Sequence, residues 1–177
     1  MYKERNEEAR AKFIQKIESL PLEKRVYLDE SGVHEYLYRE HARSLKGKQV
    51  LGEISGKRFG RQSVIAALKN KKLLAPMCFE GTCNTDVFNV WLKQELLPKL
   101  NKGQVLILDN ASFHKSVTTQ RLVESYGCEI VFLPPYSPDL NPIEKYWANM
   151  KTKIRELLPK VTTLAEAFDS AILSMSI

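Results

Sequence analysis

Three acidic residues stand where the sequence pattern gives them no role in packing. Asp29 follows the apolar run 26–28, Asp109 follows the apolar run 105–108, and Glu144 lies at the start of a predicted helix. If the two runs are neighbouring strands, both aspartates emerge at the same edge of a sheet, where open α/β sheets bind their ligands. Three convergent carboxylates repel one another unless a cation neutralises them, and carboxylate oxygens favour a hard divalent ion such as Mg²⁺ or Mn²⁺. The pattern therefore predicts a metal-dependent site.

Each of these acids also has a structural explanation. An aspartate after a strand is commonly a turn former, and the segment 29–32 (DESG) has the composition of a turn. Asn141, Pro142 and Glu144 make a good helix start, with Asn141 as the N-cap and Glu144 three residues later. The single residues leave both interpretations open, and their combination favours the site.

The hydrophobic pattern predicts one α/β domain with a mixed sheet, without repeats or a flexible linker. Apolar residues at helical spacing indicate helices, and short apolar or alternating runs indicate strands. The predicted helices are 2–20, 84–100, 116–126 and 142–158, and a last helix opens with the capping-box pattern 163–166. The predicted strands are 26–28, 34–38, 63–68, 73–79, 105–108 and 130–133, with a hairpin tip at 69–72.

The composition is that of a soluble globular protein of one domain. The chain has 177 residues, of which 44% are hydrophobic and 27% charged. It contains no run of about 20 apolar residues, so no membrane span is predicted, and its charged N-terminus is not that of a secretory signal. The cysteines Cys78, Cys83 and Cys128 form no C-x-x-C pair, which argues against a disulfide framework or a zinc knuckle. A cytoplasmic protein with reduced thiols is expected.

Positive charge is concentrated between residues 39 and 72. That segment holds ten Lys or Arg and two acids, a net of +8, while the whole chain carries +6. A block of this kind produces a local positive potential that suits the phosphate backbone of a nucleic acid. A lysine-rich solvated face explains the same block equally well, so charge alone leaves both interpretations open.

The residues around each acid carry a family resemblance. The segments 27–32 (YLDESG), 108–114 (LDNASFH) and 133–144 (LPPYSPDLNPIE) resemble the catalytic motifs of DDE transposases. They are most similar to the Tc/mariner superfamily, in particular its bacterial insertion-sequence branch, and the 34 residues between Asp109 and Glu144 match the separation typical of that branch. The resemblance covers about residues 25–158.

This resemblance implies an RNase H-like fold, in which helices flank a five-stranded mixed sheet. The first aspartate would lie on strand one, the second at the end of strand four, and the glutamate on a later helix. The implied enzyme is a transposase that cuts transposon DNA ends and joins the freed 3′-OH to target DNA, usually at a TA dinucleotide. Asp29 would bridge two Mg²⁺ or Mn²⁺ ions, with Asp109 and Glu144 each completing one coordination sphere.

Further residues are expected to support the three acids. Asn110 and His114 resemble the family's Asp-Asn-x-x-x-His pattern, which would orient the metal ligand or contact a phosphate. Strand alternation points Glu30 to the opposite side from its neighbour, which leaves it a backup candidate, and Trp147 is interpreted as helix core. The predicted supporting residues are Asn110 and Asn141, and the predicted DNA contacts are Lys57, Arg58, Arg61, His114 and Lys145.

A helix-turn-helix reader of transposon ends has no room before residue 25. The predicted organisation is a helix and linker at 1–24 and a catalytic domain at 25–177, since a single helix cannot supply a bihelical reader. A separate helix-turn-helix subunit, a homodimer in the active complex on DNA, and a bacterial, nucleoid-associated location are the expected context. Two alternatives stay open: an idle remnant that binds DNA or a partner through its basic segment, and another RNase H-like nuclease.

Overall fold

Five strands form one mixed sheet in the computed structural model, which describes residues 6–34, 46 and 61–175. The strands are β1 (Arg25–His34), β2 (Arg61–Lys69), β3 (Lys72–Glu80), β4 (Val105–Leu108) and β5 (Glu129–Phe132). Their order is β3-β2-β1-β4-β5; β1 is antiparallel to β2, and β4 is parallel to both β1 and β5. The five-stranded mixed sheet is thus confirmed, and β1 and β4 are the neighbours that the predicted site requires.

Helices flank this sheet on both faces. Those in the described ranges are α1 (Glu7–Glu18), α2 (Thr85–Trp91), α3 (Val117–Ser125), α4 (Ile143–Leu157) and α5 (Leu164–Met175). Helices α2 and α3 cover the face that carries Leu28 and Leu106. Helices α4 and α5 cover the opposite face, where Trp147 and Phe168 pack on β2. The sheet is therefore buried on both sides, and its loops and strand ends remain to carry function.

Helix α1 packs on β4 and β5. Asn6 caps the helix, because its side-chain oxygen accepts a hydrogen bond from the backbone N–H of Ala9 at 2.9 Å. Phe13 and Ile17, one turn apart, are buried against the apolar side chains of the two strands, such as Ile107. The predicted helix is confirmed from Glu7 to Glu18, and the start proposed at residue 2 lies outside the described residues. The domain boundary at residue 25 stays a prediction.

Strand β1 runs straight through the segment that the sequence presents as a turn. Residues 29–32 pair with β2 throughout, with Asp29 opposite Ala66 and Gly32 opposite Ser63. The turn prediction is wrong because the buried ladder with β2 outweighs the local preference of these residues. Of the predicted strand 34–38, His34 ends β1 and the others lie outside the described residues.

The hairpin and the last helix follow their sequence signals. At the hairpin tip, Asn70 and Lys71 have φ of 49° and 65°, as a two-residue type I′ turn requires. Ahead of α5, the hydroxyl of Thr163 accepts from the backbone N–H of Glu166 at 3.2 Å, and the Glu166 carboxylate accepts from the N–H of Thr162 at 2.9 Å. The capping box is therefore confirmed, displaced by one residue at its second bond.

The predicted helix 84–100 is present with a change of helix type. It begins as α2, continues as a π turn (Leu92–Leu96) and ends as a 3-10 turn (Leu97–Lys99). Pro98 accounts for the end, because its ring and missing N–H stop helical bonding. Within the described ranges, no helix has the length and apolar character that crossing a membrane demands.

Candidate active site

The three predicted acids line one cleft at the edge of the sheet. Tyr27 of β1 pairs with Ile107 of β4, so Asp29 and Asp109, two residues further along these parallel strands, lie level. Glu144 stands in the first turn of α4. All three border a cleft of about 350 Å³. The fold thus brings Asp29 and Glu144, which are 115 residues apart in the sequence, to the same cleft.

The carboxylate of Asp29 is largely buried and surrounded by negative charge. One of its oxygens, Oδ2, accepts a hydrogen bond from the indole N–H of Trp147 at 3.0 Å. Burial, and after it the nearby charges of Glu144 and Glu30, together raise the pKa of Asp29 to about 8. Because a buried charge is costly without a partner, this carboxylate is the group in the cleft that most needs a cation.

Asp109 is held instead by a buried histidine. The ring of His114, 1% exposed, contacts Asp109 Oδ1 through Nδ1 at 2.8 Å and Glu30 Oε1 through Nε2 at 3.0 Å. Phe88 and Phe113 lie against the same ring, with centroids 4.5 and 4.2 Å away. Both ring nitrogens are therefore occupied by carboxylates, and the ring itself is fixed by aromatic packing.

Charge pairing shifts the pKa values of this chain of groups. Burial lowers the pKa of His114, but its hydrogen bonds to Asp109 and Glu30 outweigh burial and raise the pKa to about 9. The hydrogen bond from His114 is in turn the largest cause that lowers the pKa of Asp109. At neutral pH His114 is therefore an imidazolium that donates to two carboxylates.

The alternation predicted for Glu30 is confirmed, with a consequence that the sequence did not reveal. Asp29 faces Trp147 on the α4 side of the sheet, while Glu30 faces the opposite side. There it reaches His114 and, through it, Asp109. Glu30 thus belongs to the surroundings of the site without lining the cleft.

Two asparagines tie the loops of the site to the sheet. The side-chain amide of Asn110 donates to the carbonyl of Leu133 at the end of β5. The side-chain amide of Asn141, 4% exposed, donates to the carbonyl of Leu28 in β1 at 3.1 Å. Both residues line the cleft, and their supporting role stays a prediction.

The helix start that the sequence suggested for Glu144 does not form as predicted. Pro142 occupies the N-cap position of α4, and no side chain caps the helix. The Asn141 side chain is turned to β1 rather than to the helix, because the buried carbonyl of Leu28 needs a donor. The capping prediction for Asn141 and Glu144 is therefore wrong, and the exposed Glu144 side chain is left to the cleft.

The loop ahead of Glu144 is anchored from α1. Arg10, 5% exposed, donates to Asp139 through two nitrogens, at 3.0 Å to Oδ1 and 2.7 Å to Oδ2. Asp139 lies in a 3-10 turn (Pro138–Leu140), and Tyr136 just before it has a positive φ of 55°. A bidentate pair of this kind fixes both distance and orientation.

The predicted DNA contacts are only partly visible. Lys57 and Arg58 lie outside the described residues, and Arg61 begins β2 with a side chain that also lies outside them. Lys145 is exposed on α4, next to Glu144. His114 is buried with both nitrogens occupied, which argues against a phosphate contact and for an orienting contact with Asp109.

The donor set fits a divalent metal ion in chemistry and in charge. Asp29, Asp109 and Glu144 supply carboxylate oxygens, the ligands that Mg²⁺ and Mn²⁺ prefer. The described residues that line the cleft include no Lys, Arg or His to balance them. Within the same part of the chain, no three His, Cys, Asp or Glu side chains are already arranged closely enough to hold an ion. The cleft offers the ligands but not a preformed cage.

The sequence does not predict the contacts that three further residues make in and around the site. Trp147 was interpreted as core, yet it is both buried and a hydrogen-bond donor to Asp29. Its spacing of three residues from Glu144 places the two on one helix face, a signal that could have found it. Glu30 is predicted as a backup candidate, but its contact with His114 and the contact of Arg10 with Asp139 join distant parts of the chain that no local pattern connects.

Comparison with known proteins agrees with this geometry. A model of the DDE superfamily endonuclease family matches residues 24–165. The uncharacterized protein y4pE/y4sA of Sinorhizobium fredii strain NGR234 is 45% identical over 47 residues, which cover 27% of this chain and 33% of that protein. The chain therefore spans about a third of the curated relative that it matches.

Solved structures with the same fold are transposase and integrase cores. The Mos1 strand transfer complex has a TM-score of 0.65 at 15% identity, over 96% of this chain and 56% of that chain. The Mos1 mariner paired-end complex with Mn has a TM-score of 0.64 at 15% identity, over 97% and 58%. The catalytic core domain of BIV integrase has a TM-score of 0.55 at 12% identity, over 86% and 82%.

These likenesses establish the expected RNase H-like fold. The family itself follows from the match along the sequence, which runs from the residue before β1 to the first turn of α5 and so includes Asp29, Asp109 and Glu144. The chain belongs to the DDE superfamily endonuclease family.

Proposed function

We propose that this chain is the catalytic domain of a DDE transposase, which cleaves transposon DNA ends and transfers the 3′-OH strand into target DNA. The observation that carries the proposal is the meeting of Asp29, Asp109 and Glu144 in one cleft, on neighbouring parallel strands and the following helix. Membership of an endonuclease family and the likeness to transposase cores support it. No covalent intermediate with the protein is needed, so no nucleophilic Ser, Tyr or Cys is assigned.

Asp29, Asp109 and Glu144 would hold the Mg²⁺ or Mn²⁺ ions on which the proposed reaction depends, two ions per site. Bound there, the ions would lower the pKa of a water or a terminal 3′-OH and stabilise the leaving 3′ oxygen. The chain's own contribution is to hold the carboxylates. Trp147 fixes one oxygen of Asp29.

His114 supplies the corresponding restraint on the other strand. Its hydrogen bond to Oδ1 of Asp109 orients that carboxylate and leaves the second oxygen to bind a metal ion. Of the two roles expected for His114, orientation of the ligand is the one we propose, because both nitrogens are already engaged. Asn110 and Asn141 hold the loops that border the cleft.

The finer points of the proposal rest on the sequence motifs. Target joining at TA and descent from the bacterial insertion-sequence branch follow from the resemblance of the segment 133–144. We propose Lys57, Arg58, Arg61 and Lys145 as phosphate contacts, a homodimer in the active complex, and a helix-turn-helix on a separate subunit as the reader of transposon ends. The proposed location is the bacterial nucleoid.

The test is strand transfer from a pre-cleaved 3′ transposon end into plasmid DNA. Wild-type protein, Asp109→Asn and Asp86→Asn are compared with Mg²⁺, with DNA fragments carrying the ends of the element and the helix-turn-helix subunit added. Asp86 is an exposed acid at the start of α2 and serves as the matched control. We expect products from wild type and Asp86→Asn and none from Asp109→Asn. DNA binding without products in the wild type would instead support the idle remnant.

A further inference from the structure

Helix α1 makes one strong polar contact with the loop that joins β5 to α4. The guanidinium of Arg10 is buried, and two of its nitrogens donate to the two oxygens of Asp139. Its Nε lies 3.7 Å from Glu7 on the exposed side of the helix, a weaker contact. A buried charge without a partner is strongly unfavourable, so Arg10 and Asp139 are committed to each other in the folded protein.

The partner of Arg10 stands in the segment that leads to Glu144. Asp139 precedes Glu144 by five residues, and its side chain is 53% exposed, so the carboxylate has no need of a partner for its own burial. Leu140, the next residue, packs on the cluster formed by Phe13 and Ile17 of α1 with β4 and β5. Helix α1 therefore holds this turn in two ways, by the bidentate ion pair of Arg10 with Asp139 and by the apolar contact of Leu140.

The other anchors of the loop come from the sheet. Asn141 binds the carbonyl of Leu28 in β1, and Asn110 binds the carbonyl of Leu133, where the loop begins. Between these two points lies the left-handed residue Tyr136, which the surrounding contacts must hold in place. Arg10 is the anchor that comes from outside the residues matched by the family model, 24–165.

We propose that Arg10 is a positioning residue for the active site, which acts through Asp139 to hold in place the loop that leads to Glu144 at the start of α4. This inference rests on the proposed catalytic role of Glu144. Helix α1 is then a working part of the site and not only a linker ahead of it. Arg10 touches neither substrate nor reacting atoms, and its effect is on the geometry of the cleft.

The decisive variant is Arg10→Met, which removes the guanidinium and keeps an apolar side chain about as long as the aliphatic part of arginine in the buried position. Removal of one partner is strongly destabilising when the partner left behind is buried, but Asp139 is 53% exposed, so its charge stays solvated and the fold should persist. The matched control is Lys12→Met on the same helix, since Lys12 is exposed, pairs with Glu8 and does not reach the loop. Both variants lose the same charge, so net charge cancels from the comparison.

Two readouts separate positioning from a loss of stability. Hydrogen exchange of the amides at residues 136–144 should accelerate by about tenfold in Arg10→Met, while the amides of β4 and β5 keep their rates. Strand transfer at saturating DNA should fall by about tenfold or more with DNA affinity unchanged, because misplaced reacting groups slow the chemical step. Lys12→Met should match wild type within about twofold in both.

Asp139→Asn provides a second, graded variant that also serves if Arg10→Met does not fold. Its amide oxygen accepts one of the two bonds, so the effects on exchange and rate should lie between those of wild type and Arg10→Met. Unchanged loop exchange in the variants, or faster exchange with an unchanged transfer rate, would overturn the proposal. Strand transfer at the wild-type rate by Glu144→Gln would instead contradict the proposed catalytic function. The hydrogen-exchange measurement would then still decide whether Arg10 anchors the loop.

Discussion

Asp29 lies on β1 and Asp109 directly follows the neighbouring strand β4, yet their surroundings shift their pKa values in opposite directions. Burial and the charges of Glu144 and Glu30 raise the pKa of Asp29, whereas the imidazolium of His114 lowers that of Asp109. Asp29 accepts from the neutral indole N–H of Trp147, whereas Asp109 contacts the positively charged ring of His114. Without a metal ion, Asp29 therefore keeps its proton near neutral pH while Asp109 is ionised, and a bound cation would do most to favour the charged form at Asp29.

The first prediction uses this asymmetry: replacing either aspartate by asparagine should lower the activity to the same extent, but the two substitutions should change the stability of the fold in opposite directions. Asp29→Asn and Asp109→Asn should each lower strand transfer by about a thousandfold or more, since a neutral amide is a poor ligand for a hard cation. In EDTA, Asp29→Asn should stabilise the fold by at least about 1 kcal/mol, roughly 2–4 °C in melting temperature. Asp109→Asn should destabilise it by about 1 kcal/mol, a value limited by solvent at this half-exposed carboxylate.

Thermal unfolding followed by circular dichroism without metal measures both stability effects. Asp86→Asn again controls for the loss of one surface charge. A lower melting temperature in Asp29→Asn than in wild type would show that the Asp29 carboxylate is compensated in the folded protein, and the contrast between the two strands would be lost.

The second prediction concerns pH. The folded protein holds a proton on Asp29 more tightly than the unfolded chain, with a pKa raised from 3.8 to about 8. The folded state therefore binds more protons in that interval, and the free energy of unfolding should fall as pH rises from about 4 to 8. His114, raised from 6.5 to about 9, has the same sign, with a contribution that is complete below pH 6.5 and lost as pH passes 9.

Urea unfolding of metal-free protein at several pH values separates the two groups. Asp29→Asn should remove the decline that Asp29 causes between about pH 4 and 8, and the decline between pH 6.5 and 9 that belongs to His114 should remain. The comparison is the difference between variant and wild type, so other titrating groups cancel. Parallel curves for the two proteins would mean that Asp29 ionises normally.

The third prediction sharpens the role of the histidine side. Glu30→Gln keeps a polar group beside His114 but removes its charge, so the ring should orient Asp109 less firmly. Loss of such an outer partner typically costs about 10- to 100-fold, and we expect the lower end for strand transfer with unchanged DNA affinity. Glu80→Gln, an exposed change at the end of β3, is the control. A loss as large as that of Asp109→Asn would assign Glu30 to the metal ligands.

The sequence predicts those parts of the site that are set by local pattern and by strand ends. Asp29 and Asp109 were recognisable because each follows an apolar run, and the parallel pairing of β1 with β4 places them level. The turn at residues 29–32 was mispredicted because pairing with β2 decides that conformation. Glu30 is predicted only as a backup candidate, and its contact with His114 and that of Arg10 with Asp139 are not predicted, since these partners lie 84 and 129 residues away.

The same contrast explains the misplaced helix cap. Asn141 has the residue type and spacing of an N-cap, and sequence reasoning weighs only its neighbours in the chain. The folded protein offers it the buried carbonyl of Leu28 instead, 113 residues away. Leaving that carbonyl unpaired costs about 1–3 kcal/mol, more than the cap contributes. The sequence therefore predicts the position of Asn141 next to the site but not the partner of its side-chain amide.

The smallest expected effect follows from that misplaced cap. Since Glu144 is exposed and no capping box holds it, Glu144→Gln should change the free energy of unfolding in EDTA by less than about 0.5 kcal/mol. Mn²⁺ should raise the melting temperature of wild type, because a ligand that binds only the folded state stabilises it, and the variant should lose most of that rise along with strand transfer. Glu156→Gln, exposed on the same helix, should keep both. An equal Mn²⁺ shift in wild type and Glu144→Gln, with transfer retained, would place the third ligand elsewhere and return Glu30, on the histidine side, as the candidate.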